Sequence, residues 1–218
     1  GTRETYAKIH RTNPDNFDKV IENMSYAVKV RENKAYKCAL GMQLILLPEN
    51  WHEAVLLAQI AKDIGMEYLV VKPYSQHTLS NTTKYKNIKY TDYFHLADTL
   101  SNFNGNDFKV IFRINTMKKW DEGRRNYKHC FALPFWSYID AGGSVWGCSV
   151  YLGDERFYYG NLYQSSFKDI WGGEERVKSI RWAENELDIH QCRVNCRMDE
   201  INRYLWDLKY PPDHVNFI

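Results

Sequence analysis

The sequence lacks long hydrophobic runs and an export signal. No apolar stretch approaches the ~20 residues that a helix needs to cross a bilayer. The first residues show neither the basic segment nor the apolar segment of a signal peptide. We therefore predict a soluble, cytoplasmic globular protein with no membrane partner. Because the chain does not start with methionine, we expect a processed chain or part of a longer one.

The sequence also lacks a strong charge of one sign. Its formal net charge is +2, which is too weak a field to indicate a nucleic-acid partner. The local basic clusters Lys118-Lys119 and Arg124-Arg125 are interpreted as solvated surface. With 218 residues, of which 44% are hydrophobic, the chain is long enough for one or two domains with a sizeable core.

Cysteines are few and odd in number. Five cysteines without an export signal argue against a disulfide framework and leave thiols available for metals or catalysis. Cys38 lies in an apolar segment and is predicted to pack inside a strand. The other four, at positions 130, 148, 192 and 196, fall in the second half of the chain.

The first half shows an alternating helix and strand pattern. Residues 14–31 have helical periodicity, with Asn13 as N-cap and Pro14 at the first helical position. The nearly continuous apolar run "CALGMQLILLP" predicts a strand covered on both faces. A helix over 50–65, capped by Asn50, and a second strand, "MEYLVVKPY", follow. Strand, helix and strand with short links predict a parallel βαβ unit and an α/β fold.

The second half of the chain shows a different pattern, with a polar loop, short strands and short helices. After a polar loop, a short helix is predicted near residues 93–100. Short strands are then predicted in "FKVIFRI", "FWSYID" and "SVWGCSV", with a turn at Ala141-Gly142-Gly143. Helical segments are predicted over 166–171, 174–183 and 196–208. We place a domain boundary near residue 104, which divides the chain into 1–103 and 104–218.

The four later cysteines form two pairs that a fold can bring together. The predicted hairpin returns Cys148 towards Cys130, and Cys192 and Cys196 are predicted to be one helical turn apart, near enough for both sulfurs to reach one small object. Buried thiolates are costly alone, and a metal cation offsets the cost. Spacing alone leaves three interpretations open: an iron–sulfur cluster, a zinc ion, or four ordinary buried thiols.

Several sequence segments resemble those of a known protein family. Gly143-x4-Cys148, followed by "YYGNLYQSSFKDIW" and then by Cys192 and Cys196, resembles the C-terminal extension of radical S-adenosylmethionine enzymes, called SPASM or, in a shorter form, twitch. "LILLPENWHEAVLLAQIAKDIGMEYLVVKPY" is similar to the fifth and sixth βα units of their partial barrel. The resemblance implies the C-terminal part of a partial (β/α)6 barrel over 1–103 and a small α+β auxiliary-cluster domain with a β-hairpin over 104–218.

The resemblance also implies a cofactor and its ligands. These are one auxiliary [4Fe-4S] cluster and four cysteines, Cys130, Cys148, Cys192 and Cys196, a number that matches the single-cluster twitch form. Three residues separate the last two cysteines, where two are common. Such a cluster supports radical-based modification or oxidation of a substrate by electron transfer. The substrates of relatives include small molecules, sugars and peptides.

One motif of these enzymes is absent from the sequence. Their catalytic cluster is bound by Cys-x3-Cys-x2-Cys, whereas Cys192-x3-Cys196 is followed by Asp199 at the position of the third cysteine. We therefore expect a C-terminal portion that does not cleave S-adenosylmethionine alone. In the complete enzyme, the missing N-terminal radical segment would bring S-adenosylmethionine and a second [4Fe-4S] cluster.

Polar residues follow the predicted parallel strands, where barrels place their active sites. Lys72, Ser75, Gln76 and His77 are therefore candidates for contacts with cofactor or substrate. A polar strand exit explains them equally well, and no catalytic residue is assigned. From another functional class, the alternative is a non-catalytic zinc-binding module for structure or interaction.

Overall fold

The computed structural model describes residues 1–214 and divides into two compact units. Unit 1 comprises Gly1–Tyr74 and Thr82–Glu122, and unit 2 comprises Ser75–Asn81 and the chain from Gly123 onward. Both contain helices and small sheets, which confirms the α/β class. Within the described residues, no helix is both long and apolar enough to traverse a bilayer.

Unit 1 contains a parallel sheet. Its helices and strands are α1 (Arg3–His10), α2 (Asp15–Asn33), β1 (Gly41–Leu46), α3 (Ala54–Asp63), β2 (Tyr68–Pro73), α4 (His95–Ser101), β3 (Lys109–Phe112) and α5 (Ile114–Glu122). The strand order is β1-β2-β3, and both pairings are parallel. The predicted βαβ unit is confirmed, since α3 joins β1 to β2 and packs on both.

The helix caps differ in part from the sequence expectations. Helix α1, which periodicity did not reveal, begins after Thr2, whose hydroxyl accepts a hydrogen bond from the Thr5 amide. Pro14 occupies the cap position of α2, and the Asn13 side chain accepts from the Asp15 amide instead. The Asn50 side chain makes no cap hydrogen bond. It binds the Leu47 amide and the Ile45 carbonyl, and so fixes the exit of β1.

The two faces of the parallel sheet differ in burial. In β1, burial alternates, with Met42, Leu44 and Leu46 buried, so the predicted cover on both faces is wrong. Helix α3 covers the buried face. The opposite face carries Ile45, which is 40% exposed, and Ile111 of β3, which is 43% exposed. Because paired residues of parallel strands share a face, this open face is continuous across the sheet.

Glu53 ties the start of the chain to the segment before α3. Its side chain is 8% exposed and accepts hydrogen bonds from the Gly1 amine, the Thr2 amide and hydroxyl, and the Thr5 hydroxyl. Burial raises the pKa of this carboxyl, but these hydrogen bonds outweigh burial and lower its pKa to about 2. The carboxylate form therefore stabilises the packing of α1.

We expect Glu53 to make the stability of unit 1 dependent on pH. Its pKa lies below the ordinary value of 4.5, so its contribution is present above pH 4.5 and is lost as pH falls towards 2. A shift of this size corresponds to about 3 kcal/mol. Urea unfolding of the metal-free chain at a series of pH values measures the slope, and Glu53→Gln is expected to flatten it. Equal slopes for both chains would contradict the assignment.

Unit 2 begins later than the sequence indicated. The boundary expected near residue 104 falls inside unit 1, because β3 pairs with β2 and α5 packs on β2. The elements of unit 2 are β4 (Tyr138–Ile139), β5 (Ser144–Trp146), β6 (Tyr158–Asn161), α6 (Phe167–Gly172), α7 (Glu174–Asn185) and α8 (Asp199–Lys209). The strands form an antiparallel sheet in the order β4-β5-β6.

Cys38 does not pack as predicted. Strand β1 begins at Gly41, three residues after it, and the Cys38 thiol is exposed. The reason is that the segment before β1 has no strand neighbour among the described residues and so lies outside the sheet. Cys38 is thus set apart from the other four cysteines, which are all partly buried.

Candidate metal centre

Four cysteines of unit 2 line a single small cavity of about 40 Å³. We call it the cysteine cavity and define it by Cys130, Cys148, Cys192 and Cys196. Cys130 follows α5 in a loop, Cys148 comes directly after Gly147 at the end of β5, and Cys192 and Cys196 precede α8. Three separate stretches of chain therefore supply the thiols of one site.

The hairpin positions Cys148 as expected. The carboxylate of Asp140 accepts hydrogen bonds from the amides of Gly142 and Ser144 and from the indole of Trp146. Gly143 has a φ of 75°, a left-handed value that favours glycine at this turn. At Gly147, a side chain would collide with the Tyr159 hydroxyl. The backbone therefore passes close to β6 immediately before Cys148.

The last two cysteines lie in turns and not on a helix. A short 3-10 helix, Ile189–Gln191, precedes Cys192, and α8 starts only at Asp199, so the helix predicted from residue 196 begins three residues later. The Arg125 guanidinium donates hydrogen bonds to the carbonyls of Ile189, Cys192 and Arg193, at 2.8, 3.0 and 2.8 Å. The carbonyls of Cys192 and Arg193 therefore bind Arg125, whereas those of a helix would bind the amides of the following turn.

Arg125 therefore shapes the segment that presents Cys192. Its basic cluster was interpreted as solvated surface, and for Arg125 this interpretation is wrong. The side chain is partly buried and its planar fork reaches three carbonyls, whereas the neighbouring Arg124 is exposed. Nothing in the local sequence distinguishes the two arginines, since the partners of Arg125 are more than sixty residues away.

Helix α8 is anchored beside the cavity by two buried polar residues. Asp199, in its first turn, accepts hydrogen bonds from the Tyr127 hydroxyl and from Arg203. Asn202, which is 2% exposed, accepts from the amide of Ala132 and directs its own amide group at the sulfur of Cys130. The loop of Cys130 and the helix after Cys196 are thus held together.

Each of the four sulfur atoms has at least one hydrogen-bonding partner. The amide of Val150 donates to Cys148 and the amide of Met198 donates to Cys196, each at 3.4 Å and each two residues along the chain. The side-chain amide of Asn202 donates to Cys130 at 3.6 Å. The hydroxyl of Tyr151 lies 3.3 Å from the sulfur of Cys192. Donors arranged in this way stabilise thiolates.

Burial disfavours the charged form of Cys130, Cys148 and Cys192 in the absence of a cation. It raises the pKa of Cys130 to about 12 and that of Cys148 to about 11, and the neighbouring cysteines add to both effects. Burial also raises the pKa of Cys192, against the opposing effects of the Tyr151 hydroxyl and the Arg125 charge. A positively charged metal centre would remove this penalty, since thiolates are the binding form.

The four cysteines are not arranged as a site for a single metal ion. A single zinc ion needs its thiolates about 2.3 Å from one point. Among residues 1–214, no three Cys, His, Asp or Glu side chains are arranged to hold one metal ion. Four thiols that line one cavity are the donor set that an iron–sulfur cluster requires. The residues present therefore fit such a cluster by their chemistry.

Apolar side chains surround the cysteines. Leu133, Phe157 and Ala183 form a buried cluster against which Cys130 and Cys148 pack. Trp136 lines the cavity. Trp146, on the same hairpin, lies against Tyr158 and donates a hydrogen bond to Asp140. The shell excludes water, which tunes the potential of a bound cluster.

The candidates at the end of β2 fall into different parts of the structure. Lys72 lies on β2 in unit 1, paired in register with Ile45 on the open face of the sheet. Ser75, Gln76 and His77 belong to the segment Ser75–Asn81 of unit 2. The imidazole of His77 accepts a hydrogen bond from the amide of Leu79. Their predicted contacts with cofactor or substrate stay a prediction.

Unit 1 has a cavity of its own, of about 480 Å³. Apolar side chains of α1, α2 and β1 form most of its lining, and Asn50, Tyr74 and Tyr85 also contribute. Lys72 and the three candidates after it are not among the lining residues. This cavity therefore does not gather the predicted cofactor-binding residues.

Comparison with known proteins agrees with the site. Residues 130–197 match the family model of SPASM, an iron-sulfur cluster-binding domain. The matched segment begins at Cys130 and ends one residue after Cys196, so it contains all four cysteines of the cavity. No curated protein and no solved structure matches the chain.

The match identifies a domain. It covers less than half of the chain and contains nothing of unit 1. Residues 130–197 are similar to SPASM, an iron-sulfur cluster-binding domain, and this similarity supports a role in binding such a cluster. The expected auxiliary iron–sulfur role is thereby supported at the level of the domain.

Proposed function

We propose that this chain is the C-terminal portion of a radical S-adenosylmethionine enzyme and that unit 2 holds one auxiliary [4Fe-4S] cluster. The proposed ligands are Cys130, Cys148, Cys192 and Cys196. The observation that carries the proposal is the convergence of these four partly buried thiols on one cavity inside a SPASM-type domain. The hydrogen bond at each sulfur adds to it.

The donor set favours electron transfer over direct binding of substrate to iron. A bound cluster of this type supplies one-electron redox chemistry, which allows oxidation of a substrate radical. Four protein thiolates satisfy the four iron sites, so none is left for a substrate atom. The role of the chain is to hold the thiolates, through Arg125 and Asn202, and to exclude water with the apolar shell.

The open edge and the open face of the sheet in unit 1 support the proposal of a partial barrel with further strands. Within residues 1–214, β1 pairs with β2 alone, and the sheet face that carries Ile45, Lys72 and Ile111 is uncovered enough to leave both isoleucines exposed. Additional parallel strands would pair with this edge and enclose this face, as in a partial (β/α)6 barrel. The open edge thus suits a further segment that continues the sheet.

The cleavage of S-adenosylmethionine is assigned to that further segment. We propose that it carries Cys-x3-Cys-x2-Cys, the second [4Fe-4S] cluster and S-adenosylmethionine, and that the complete enzyme acts in the cytoplasm on a small molecule, sugar or peptide. Lys72, Ser75, Gln76 and His77 are proposed to contribute contacts to the cofactor or substrate there. The coding sequence immediately upstream tests this part, since it is expected to encode the motif.

Anaerobic reconstitution of the chain with iron and sulfide tests the cluster. We expect about four iron atoms and four sulfides per chain, brown protein with broad absorption near ~400 nm, and a paramagnetic resonance signal after reduction by one electron. One zinc ion per colourless chain would support the zinc-binding module instead. Absence of bound metal would indicate four ordinary buried thiols.

A further inference from the structure

We propose that Tyr151 is a positioning residue of the iron–sulfur site, whose hydroxyl raises the reduction potential of the bound cluster and whose ring closes the cavity on one side. This inference rests on the proposed function, because it concerns a cluster bound at the four cysteines. It concerns a residue outside the ligand set, three positions after Cys148 in sequence and in contact with Cys192.

The ring of Tyr151 is fixed by packing. It stacks on Phe157 with ring centroids 4.6 Å apart and planes 5° from parallel. Phe157 is itself 1% exposed and meets Trp182 edge-on. Because Tyr151 stacks on a ring that is itself buried, the core places the hydroxyl at the Cys192 sulfur, 3.3 Å away.

The direction of the hydrogen bond follows from the chemistry of the ligand. Cys192 binds iron as a thiolate, which has no proton to give, so the Tyr151 hydroxyl is the donor. Reduction of a cluster adds negative charge that its sulfur ligands share. A hydrogen bond to such a sulfur is therefore stronger in the reduced state and raises the potential.

Tyr151 is also the donor that can be removed with least disturbance. Val150 and Met198 donate through backbone amides, which no side-chain substitution removes. Asn202 also holds the amide of Ala132, so its loss would disturb the Cys130 loop. Phenylalanine in place of Tyr151 keeps the stacked ring and loses the hydroxyl alone.

The ring separates the cysteine cavity from a neighbouring groove. Val150 and Tyr151 line both the cysteine cavity and a more open groove that also includes Thr78, Asp154 and Gln191. Tyr151 is therefore part of the wall between the cysteines and a surface that polar molecules reach. Removal of the ring would open the site to water and to small polar solutes.

Potentiometric titration of the reconstituted protein, followed by paramagnetic resonance, tests the hydroxyl. At an ambient potential equal to the wild-type midpoint, the ratio of reduced to oxidised cluster is expected to fall about tenfold in Tyr151→Phe, which corresponds to 59 mV for one electron. Tyr158→Phe is the matched control, since its ring packs on Trp146. Its ratio is expected to equal that of the wild type.

The outcomes separate this inference from the proposed function. A wild-type chain that binds no iron and sulfide overturns the proposed function. A Tyr151→Phe chain with full iron content and an unchanged potential overturns the role of the hydroxyl alone. Should this variant not retain iron, 3-fluorotyrosine at position 151 takes its place. Its more acidic hydroxyl donates more strongly, so the potential is expected to rise, and an unchanged value overturns the inference.

The role of the ring has its own measurement. Loss of iron to a chelator is expected to be faster in Tyr151→Ala than in Tyr151→Phe, because only the alanine variant opens the wall. Equal rates in the two variants would overturn this part of the proposal, and the potential of Tyr151→Phe would be unaffected by that result.

Discussion

Alanine at any one of the four positions 130, 148, 192 and 196 is expected to prevent stable assembly of the cluster. Each of these cysteines lines the same cavity, and the loss of one thiolate leaves an iron site without a protein ligand. Removal of residues that merely support metal ligands costs 10–100-fold in metal affinity, so we expect the loss of a ligand to exceed about 100-fold. Iron and sulfide content after anaerobic reconstitution measures the effect.

Cys38→Ala is the matched control. The thiol of Cys38 is exposed, belongs to unit 1 and is not among the lining residues of the cysteine cavity, so its removal is expected to leave the iron content unchanged. Cys196 is the strictest test, because the spacing of three residues after Cys192 departs from the common pattern of the family. Full iron content and an unaltered resonance spectrum in Cys196→Ala would remove it from the ligand set.

Loss of the Arg125 side chain is expected to destabilise unit 2 and to weaken cluster binding. Alanine at this position leaves the carbonyls of Ile189, Cys192 and Arg193 without the charged donor that binds them. Hydrogen bonds that involve charged groups contribute about 1.5–3 kcal/mol each. The freed carbonyls can form hydrogen bonds to water, which recovers part of this energy. We therefore expect a loss of about 3–5 kcal/mol in the free energy of unfolding.

Two further variants separate the roles of Arg125. Arg124→Ala removes an exposed neighbour whose contribution to unit 2 is its backbone carbonyl, and is expected to have little effect. Arg125→Lys keeps the charge but not the planar fork that reaches three carbonyls, so its effect is expected to be intermediate. Urea unfolding of the metal-free chains and iron content after reconstitution are the measurements. Equal stability of Arg125→Ala and wild type would show that the segment holds its shape without the guanidinium.

The importance of Arg125, Asn202 and Tyr151 was not visible in the sequence. Arg125 stands next to another arginine in a basic stretch that is typical of a solvated surface, and Tyr151 is one of sixteen tyrosines. Their contacts to cysteines or to the cysteine segment span 67, 72 and 41 residues of chain, respectively. Periodicity indicates which face of an element is buried, but it does not indicate which distant atoms meet there.

The interpretation of Cys38 and of β1 was wrong for a related reason. The apolar run predicts burial on both faces, whereas β1 buries alternate residues and Cys38 lies before the strand begins. How many faces of a strand are covered depends on the elements that pack against it. The sequence of a strand indicates that it is apolar. It does not indicate whether other elements cover one face of the strand or both.

The sequence by itself determined the local features: the βαβ alternation, the hairpin turn at Gly143 and the spacing of the cysteines in a SPASM-type segment. These depend on residues close together in the chain, whose turn conformations and periodicities are properties of the amino acids themselves. The tertiary structure alone decided that β3 joins the parallel sheet, that Cys192 and Cys196 lie in turns shaped by Arg125, and that each sulfur has a hydrogen-bonding partner. Such features depend on contacts between distant segments, which form only when the whole chain has folded and its buried polar groups find partners.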